Sequence, residues 1–164
     1  VTAFRDLPAF ILEPFDGRPA SAWDAGAPGT WTAGQIVAHL EAAMRTSADG
    51  FERRAALAPA APRPPAPAQR LAQLVLLGVG WFPSGRRSPD VALPPARPER
   101  SATEAALRES VARLLDLEAR LLPARARDLA LRHPVLGDLT LPQWLRFHVV
   151  HARHHVPQIR ARLA

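Results

Sequence analysis

Ten of the 18 prolines fall between residues 59 and 98, and this clustering decides where regular structure can form. Proline lacks a backbone N–H and its ring collides with the preceding turn, so these positions cannot sit in helix interiors. The stretches ALAPAAPRPPAPA (56–68) and PSGRRSPDVALPPARP (83–98) therefore read as loops, and the apolar segment at about 68–82 reads as a helix held between them. That segment is too short to span a membrane and contains Gln73. The first residues, VTAFRDLPAF, lack a basic region followed by an apolar core, so no signal peptide is expected and the expected location is the cytoplasm.

Outside the proline-rich region the punctuation is helical. Thr32-Ala-Gly-Gln35, Ser101-Ala-Thr-Glu104 and Thr140-Leu-Pro-Gln143 each place Ser or Thr three residues before Gln or Glu. In such a capping box each side chain satisfies a backbone N–H at the start of a helix. After Ser101, Leu107, Val111, Leu114, Glu118 and Leu121 recur at three- or four-residue steps, and after Thr32 so do Ile36, His39, Leu40 and Ala43. A further helix is expected over about 3–13, ending near Pro14. No segment alternates as a strand over more than four residues. The expected fold is all-α, a four-helix bundle with proline-rich loops and a short extra helix, as one domain over residues 1–164.

Composition narrows function mainly by exclusion. With no cysteine there is no disulfide scaffold, thiolate metal site or cysteine nucleophile, and with no tyrosine there is no phenolic acid or base. All 21 basic residues are arginine, giving a net charge of +6. They are dispersed among acids, as in RESVARLLDLEAR (108–120), which describes solvated helix faces with i,i+4 pairs rather than a phosphate-binding stripe. Nucleic acid is therefore not the expected partner.

The histidines carry the chemistry. On a helical wheel with Trp144 at zero, His151 and His155 fall at about −20° and +20°, so the face begun by Trp144 and Phe147 continues as imidazole. His39 sits on the corresponding face of the second helix. Three neutral imidazoles from two helices would form a three-nitrogen site with open positions, the ligand set of a catalytic metal. Imidazole suits zinc, nickel, copper or iron, so spacing does not name the ion. The alternative is a polar cluster at a helix end, with His148 and His154 on the surface. His148, His154, Gln158 and Gln35 are candidates for groups that orient the imidazoles. His133, before Pro134, reads as structural, and Pro157 is expected to bend the last helix.

The blocks WTAGQIVAHLEAAMRTSADGF (31–51) and HPVLGDLTLPQWLRFHVVHARHHVPQI (133–159) resemble the two signature regions of the DinB/YfiT-like superfamily, in a branch of unknown function. The resemblance implies a four-helix bundle holding one divalent ion, zinc or nickel, on one histidine of the second helix and two of the last. By motif these are His39, His151 and His155. It also implies a small-molecule substrate, a homodimer, and an S-transferase or hydrolase activity. The reactive group would then be a metal-bound water or thiolate, and with no cysteine in the chain any thiol must come from outside. A metal- or small-ligand-binding bundle without turnover, as a sensor or scaffold, is the other expectation.

Overall fold

The computed structural model describes residues 2–82, 90–126 and 128–164. It is mostly helical, with α1 (Leu7–Leu12), α2 (Ala33–Ala55), α3 (Pro67–Gln73), α4 (Arg100–Arg125) and α5 (Leu141–Leu163). The cap of α2 forms as the sequence predicts: Gln35 N–H donates to Thr32 Oγ1 at 3.1 Å and Thr32 N–H to Gln35 Oε1 at 2.9 Å. At α5, Gln143 Oε1 accepts from both the backbone N–H and the hydroxyl of Thr140, at 2.9 and 3.1 Å.

The α4 start differs. Its cap is Glu99, whose carboxylate accepts from the N–H groups of Ser101 and Ala102 at 2.9 and 2.6 Å. A carboxylate is a stronger acceptor than a hydroxyl and gains from the positive end of the helix, so it displaces Ser101. Glu104 pairs with Arg100 at 2.8 Å instead of closing a box.

The core is built on α2. Its residues Ile36, Leu40, Met44, Ala48 and Phe51 are buried along one face, against Leu107, Leu114 and Leu117 of α4 and Val149, Val156 and Ile159 of α5. Leu117, not Glu118, continues the α4 stripe inward. The fourth side is closed by α1, with Leu7 and Ile11 fully buried. Two arginines fix α2 to α4. Arg113 pairs with Asp49 and Glu52 at 2.6 and 2.7 Å, and Arg125 donates to Ala55 O at 2.6 Å, satisfying a carbonyl that the end of α2 leaves open.

Two features depart from the all-α expectation. Ala130–His133 (β1) and Gly137–Thr140 (β2) form an antiparallel hairpin, with Ala130 opposite Thr140 and His133 opposite Gly137. Four-residue strands are too short to show a period, and the turn between them is closed by His133 Nδ1, which accepts from Val135 and Leu136 N–H at 3.1 Å. His133 is structural, as its position before Pro134 predicts. The second departure is the apolar segment. After α3 the chain widens into a π-type turn, Leu74–Val79, ending at Gly80 in the left-handed region (φ +80°). Only Leu76 is buried there, while Leu71, Leu74, Val79 and Trp81 are exposed. Leu7, Ile11 and Leu12 of α1 already occupy the main core, so this segment packs outside it. Leu76 packs beside the hairpin and α5, with Leu136, Leu139, Phe147 and Val150. No helix among the described residues is long and apolar enough to cross a membrane. The last helix runs unbroken through Pro157. Of the second proline-rich loop, residues 83–89 lie outside the described residues.

Candidate metal centre

Once capped at Thr32, α2 carries His39 on the same face as Ile36 and Ala43, and that face packs on α5. There it meets His151 and His155, one turn apart. All three are buried, and one ring nitrogen from each lies within 4.8 Å of the other two. Nε2 of His39 and Nε2 of His151 are 3.1 Å apart. Two nitrogens bound at about 2.0–2.1 Å to one tetrahedral ion stand roughly 3.3 Å apart, so this pair is already at ligand spacing.

The hydrogen-bond partners fix which nitrogens face inward. His39 Nδ1 lies 2.7 Å from Ala92 O. A carbonyl only accepts, so the proton is on Nδ1 and Nε2 presents a lone pair. His155 Nδ1 donates to Gln158 Oε1 at 3.2 Å, which turns its Nε2 inward too. In the metal-free protein Nε2–H of His151 must then be the donor to His39, and His151 Nδ1 is buried without a partner. Such an orphan costs about 1–3 kcal/mol. A cation would favour the other tautomer of His151, with the proton on Nδ1, so that three Nε2 lone pairs would converge, and the residues present fit one.

Burial sets the charge state. Desolvation holds His39 below the ordinary imidazole range against the opposing pull of the Ala92 carbonyl. It holds His151 well below that range, reinforced by His155 and His39, and pushes His155 down to about 3, reinforced by His39 and His154. The rings are therefore neutral at pH 7, as ligation requires. His148 and His133 are also pushed down by burial, to about 3 and about 4. An unfolded histidine takes up its proton near pH 6.5, whereas His133 does so only near 4 and His148 and His155 only near 3. Between those limits the unfolded chain binds more protons, so native stability must fall as pH falls. The melting temperature of metal-free protein is expected to drop steadily from pH 6.5 to pH 4. A flat profile there would show that these rings are hydrated.

The remaining predicted residues divide. Gln158 bridges two histidines: beside its bond to His155, its Nε2 donates to His154 Nε2 at 3.0 Å. His154 is half-buried and stacks on Phe82, with centroids 4.8 Å apart. His148 is fully buried rather than on the surface, and its Nε2 lies 3.0 Å from Ser47 Oγ, away from the triad. Gln35 touches no imidazole. Its Nε2 donates to Pro95 O and Ala96 O at 3.2 and 3.1 Å, holding the loop that carries Ala92.

Three contributors escape sequence reasoning. The Ala92 carbonyl leaves no side-chain signal. Phe82 stacks on His151 as well as His154, at 5.2 Å, and Trp31 lies with its ring 5.0 Å from that of His39. Trp31 reads in sequence only as a core anchor. Two surface cavities, of about 460 and 300 Å³, have no histidine in their walls.

A family model described as a protein of unknown function (DUF1569) matches residues 19–162. No curated protein and no solved structure matches the chain.

Proposed function

The chain belongs to the DUF1569 family, and from that footing we propose that it is a divalent-metal-dependent enzyme, a thiol S-transferase or hydrolase acting on a small molecule. The observation that carries this reading is the convergence of three buried neutral imidazoles, from two helices, with no carboxylate in their group among the described residues. His39, His151 and His155 would hold the ion, zinc or nickel by the superfamily resemblance, both of which suit imidazole. When bound, the ion would supply Lewis acidity, favouring the deprotonated, nucleophilic form of a water or an external thiol near neutral pH.

The chain's own residues prepare for this. The Ala92 carbonyl and Gln158 keep the Nε2 lone pairs of His39 and His155 turned inward. Phe82 and Trp31 cover the rings and reduce access of bulk water. The resemblance to DinB/YfiT-like proteins supports the same reading, and the core of α1, α2, α4 and α5 is compatible with their four-helix bundle. A homodimer would follow from that resemblance. Depth favours a second reading, a bundle that holds an ion or ligand without turnover, because the three histidines are only 3%, 5% and 9% exposed.

Untagged protein should contain about one divalent ion per chain. Reconstituted with zinc, it should conjugate a small thiol to 1-chloro-2,4-dinitrobenzene or hydrolyse 4-nitrophenyl acetate, with the activity lost in His39→Ala. Absence of a stoichiometric ion would overturn the metal reading. A bound ion with no turnover on broad substrate panels would leave the holding bundle.

A further inference from the structure

The polar face of α5 does not end at the histidines. His148, His151, His155, Gln158 and Arg162 follow one another at steps of three and four, forming one continuous stripe along the helix. The first four are accounted for by the triad, its hydrogen bonds and Ser47. Arg162 is not. Its Nε donates to Trp31 O at 3.0 Å, it is half-buried, and no carboxylate lies within ion-pair distance among the described residues. Its terminal nitrogens have no protein partner among those residues. By contrast Arg160, two positions earlier, pairs with Glu13 at 2.8 Å.

Trp31 connects this guanidinium to the site, because its carbonyl holds Arg162 while its ring lies 5.0 Å from His39. Along α5, Arg162 is seven residues beyond His155, about 10 Å along the axis on the same face. The fork of N–H donors on a fixed guanidinium matches a carboxylate better than any neutral group. A divalent ion held on three neutral ligands would keep its full positive charge, so the loaded site would favour an anion.

We propose that Arg162 anchors the anionic end of the substrate, so that the substrate class is a small organic carboxylate whose reacting group reaches the three histidines from about two helical turns away. This rests on the metal-dependent reading of the triad. Arg162 is a substrate-binding residue in this proposal and takes no part in holding the ion.

The test uses the full chain with zinc, its stoichiometry measured first, and two probes of equal length, 6-mercaptohexanoate and 6-mercapto-1-hexanol. Calorimetric titration should show the carboxylate binding at least about 10-fold more tightly than the alcohol, the worth of one charge-assisted contact. Arg162→Gln should bring that ratio close to one while leaving zinc stoichiometry unchanged, Arg162→Lys should retain part of it, and Arg160→Gln should leave it intact. Mercaptoacetate, too short to span the distance, should be insensitive to Arg162→Gln. A merely structural Arg162 would alter the melting temperature and not the ratio. A ratio near one in the wild-type protein, or one that survives Arg162→Gln, overturns the proposal. Failure to bind zinc at all would instead overturn the reading on which it rests.

Discussion

Replacing His151 by leucine should abolish the stabilisation that a divalent ion gives this protein while leaving the metal-free protein nearly as stable as before. An ion that binds only the native state stabilises it by about 4 kcal/mol at a free concentration 1,000 times its dissociation constant. In a domain of this size that raises the melting temperature by roughly 8–16 °C. The whole shift should vanish in His151→Leu, since two imidazoles on separate helices remain.

The metal-free comparison follows from counting unpaired buried groups. In the wild type, His151 Nδ1 has no partner. In the variant that orphan is gone, but His39 Nε2 loses the donor 3.1 Å away. One unsatisfied atom replaces another, and leucine fits between the Phe147 and Phe82 rings that flank His151. The net change should stay within about 1 kcal/mol. Thermal melts with and without zinc, on both proteins, measure each quantity. A shift that persists in the variant would remove His151 from the ligand set, and collapse of the metal-free variant would make the residue structural.

Gly34→Ala should cost about 2–4 kcal/mol through overpacking and a lost buried hydrogen bond. A methyl at this position in the first turn of α2 would overlap the indole of Trp23. That ring is buried, packs on Phe15 with centroids 5.2 Å apart, and donates from Nε1 to Pro98 O at 2.8 Å. Alanine's better helix propensity returns at most about 1 kcal/mol. The consequence reaches the site, because the loop that ends at Pro98 begins with Ala92, the acceptor for His39 Nδ1. Ion affinity should therefore fall about 10- to 100-fold, as for loss of a group that orients a ligand. Chemical denaturation and competition with a chelator would measure the two effects. A variant within about 0.5 kcal/mol of wild type would show that Trp23 has room to move.

The candidate site was legible in the chain because its three histidines come from helices. Helical spacing is rigid enough that His151 and His155 share a face wherever α5 packs, and Thr32 and Gln35 fix where α2 begins. The caps of α2 and α5 depend only on neighbours three residues apart, and they formed where the spacing places them. The start of α4 departs from the capping-box pattern for an equally local reason: a carboxylate at Glu99 outcompetes the hydroxyl at Ser101.

The rest depended on contacts between distant segments. Nothing in the run from Leu71 to Phe82 says that it lies outside the core, because its exclusion follows from α1 having closed the fourth side. The hairpin is too short to carry a period and is held by its packing against α5. The Ala92 carbonyl belongs to an unremarkable residue 53 positions from His39, and only the loop held by Gln35 and Trp23 brings it there. By itself, then, the sequence determined α2 and α5, their caps and the shared face of His151 and His155, all set by interactions within one or two turns. The tertiary structure alone decided which nitrogens face inward, which aromatic rings cover them and where Arg162 stands, because each depends on partners far apart in the chain.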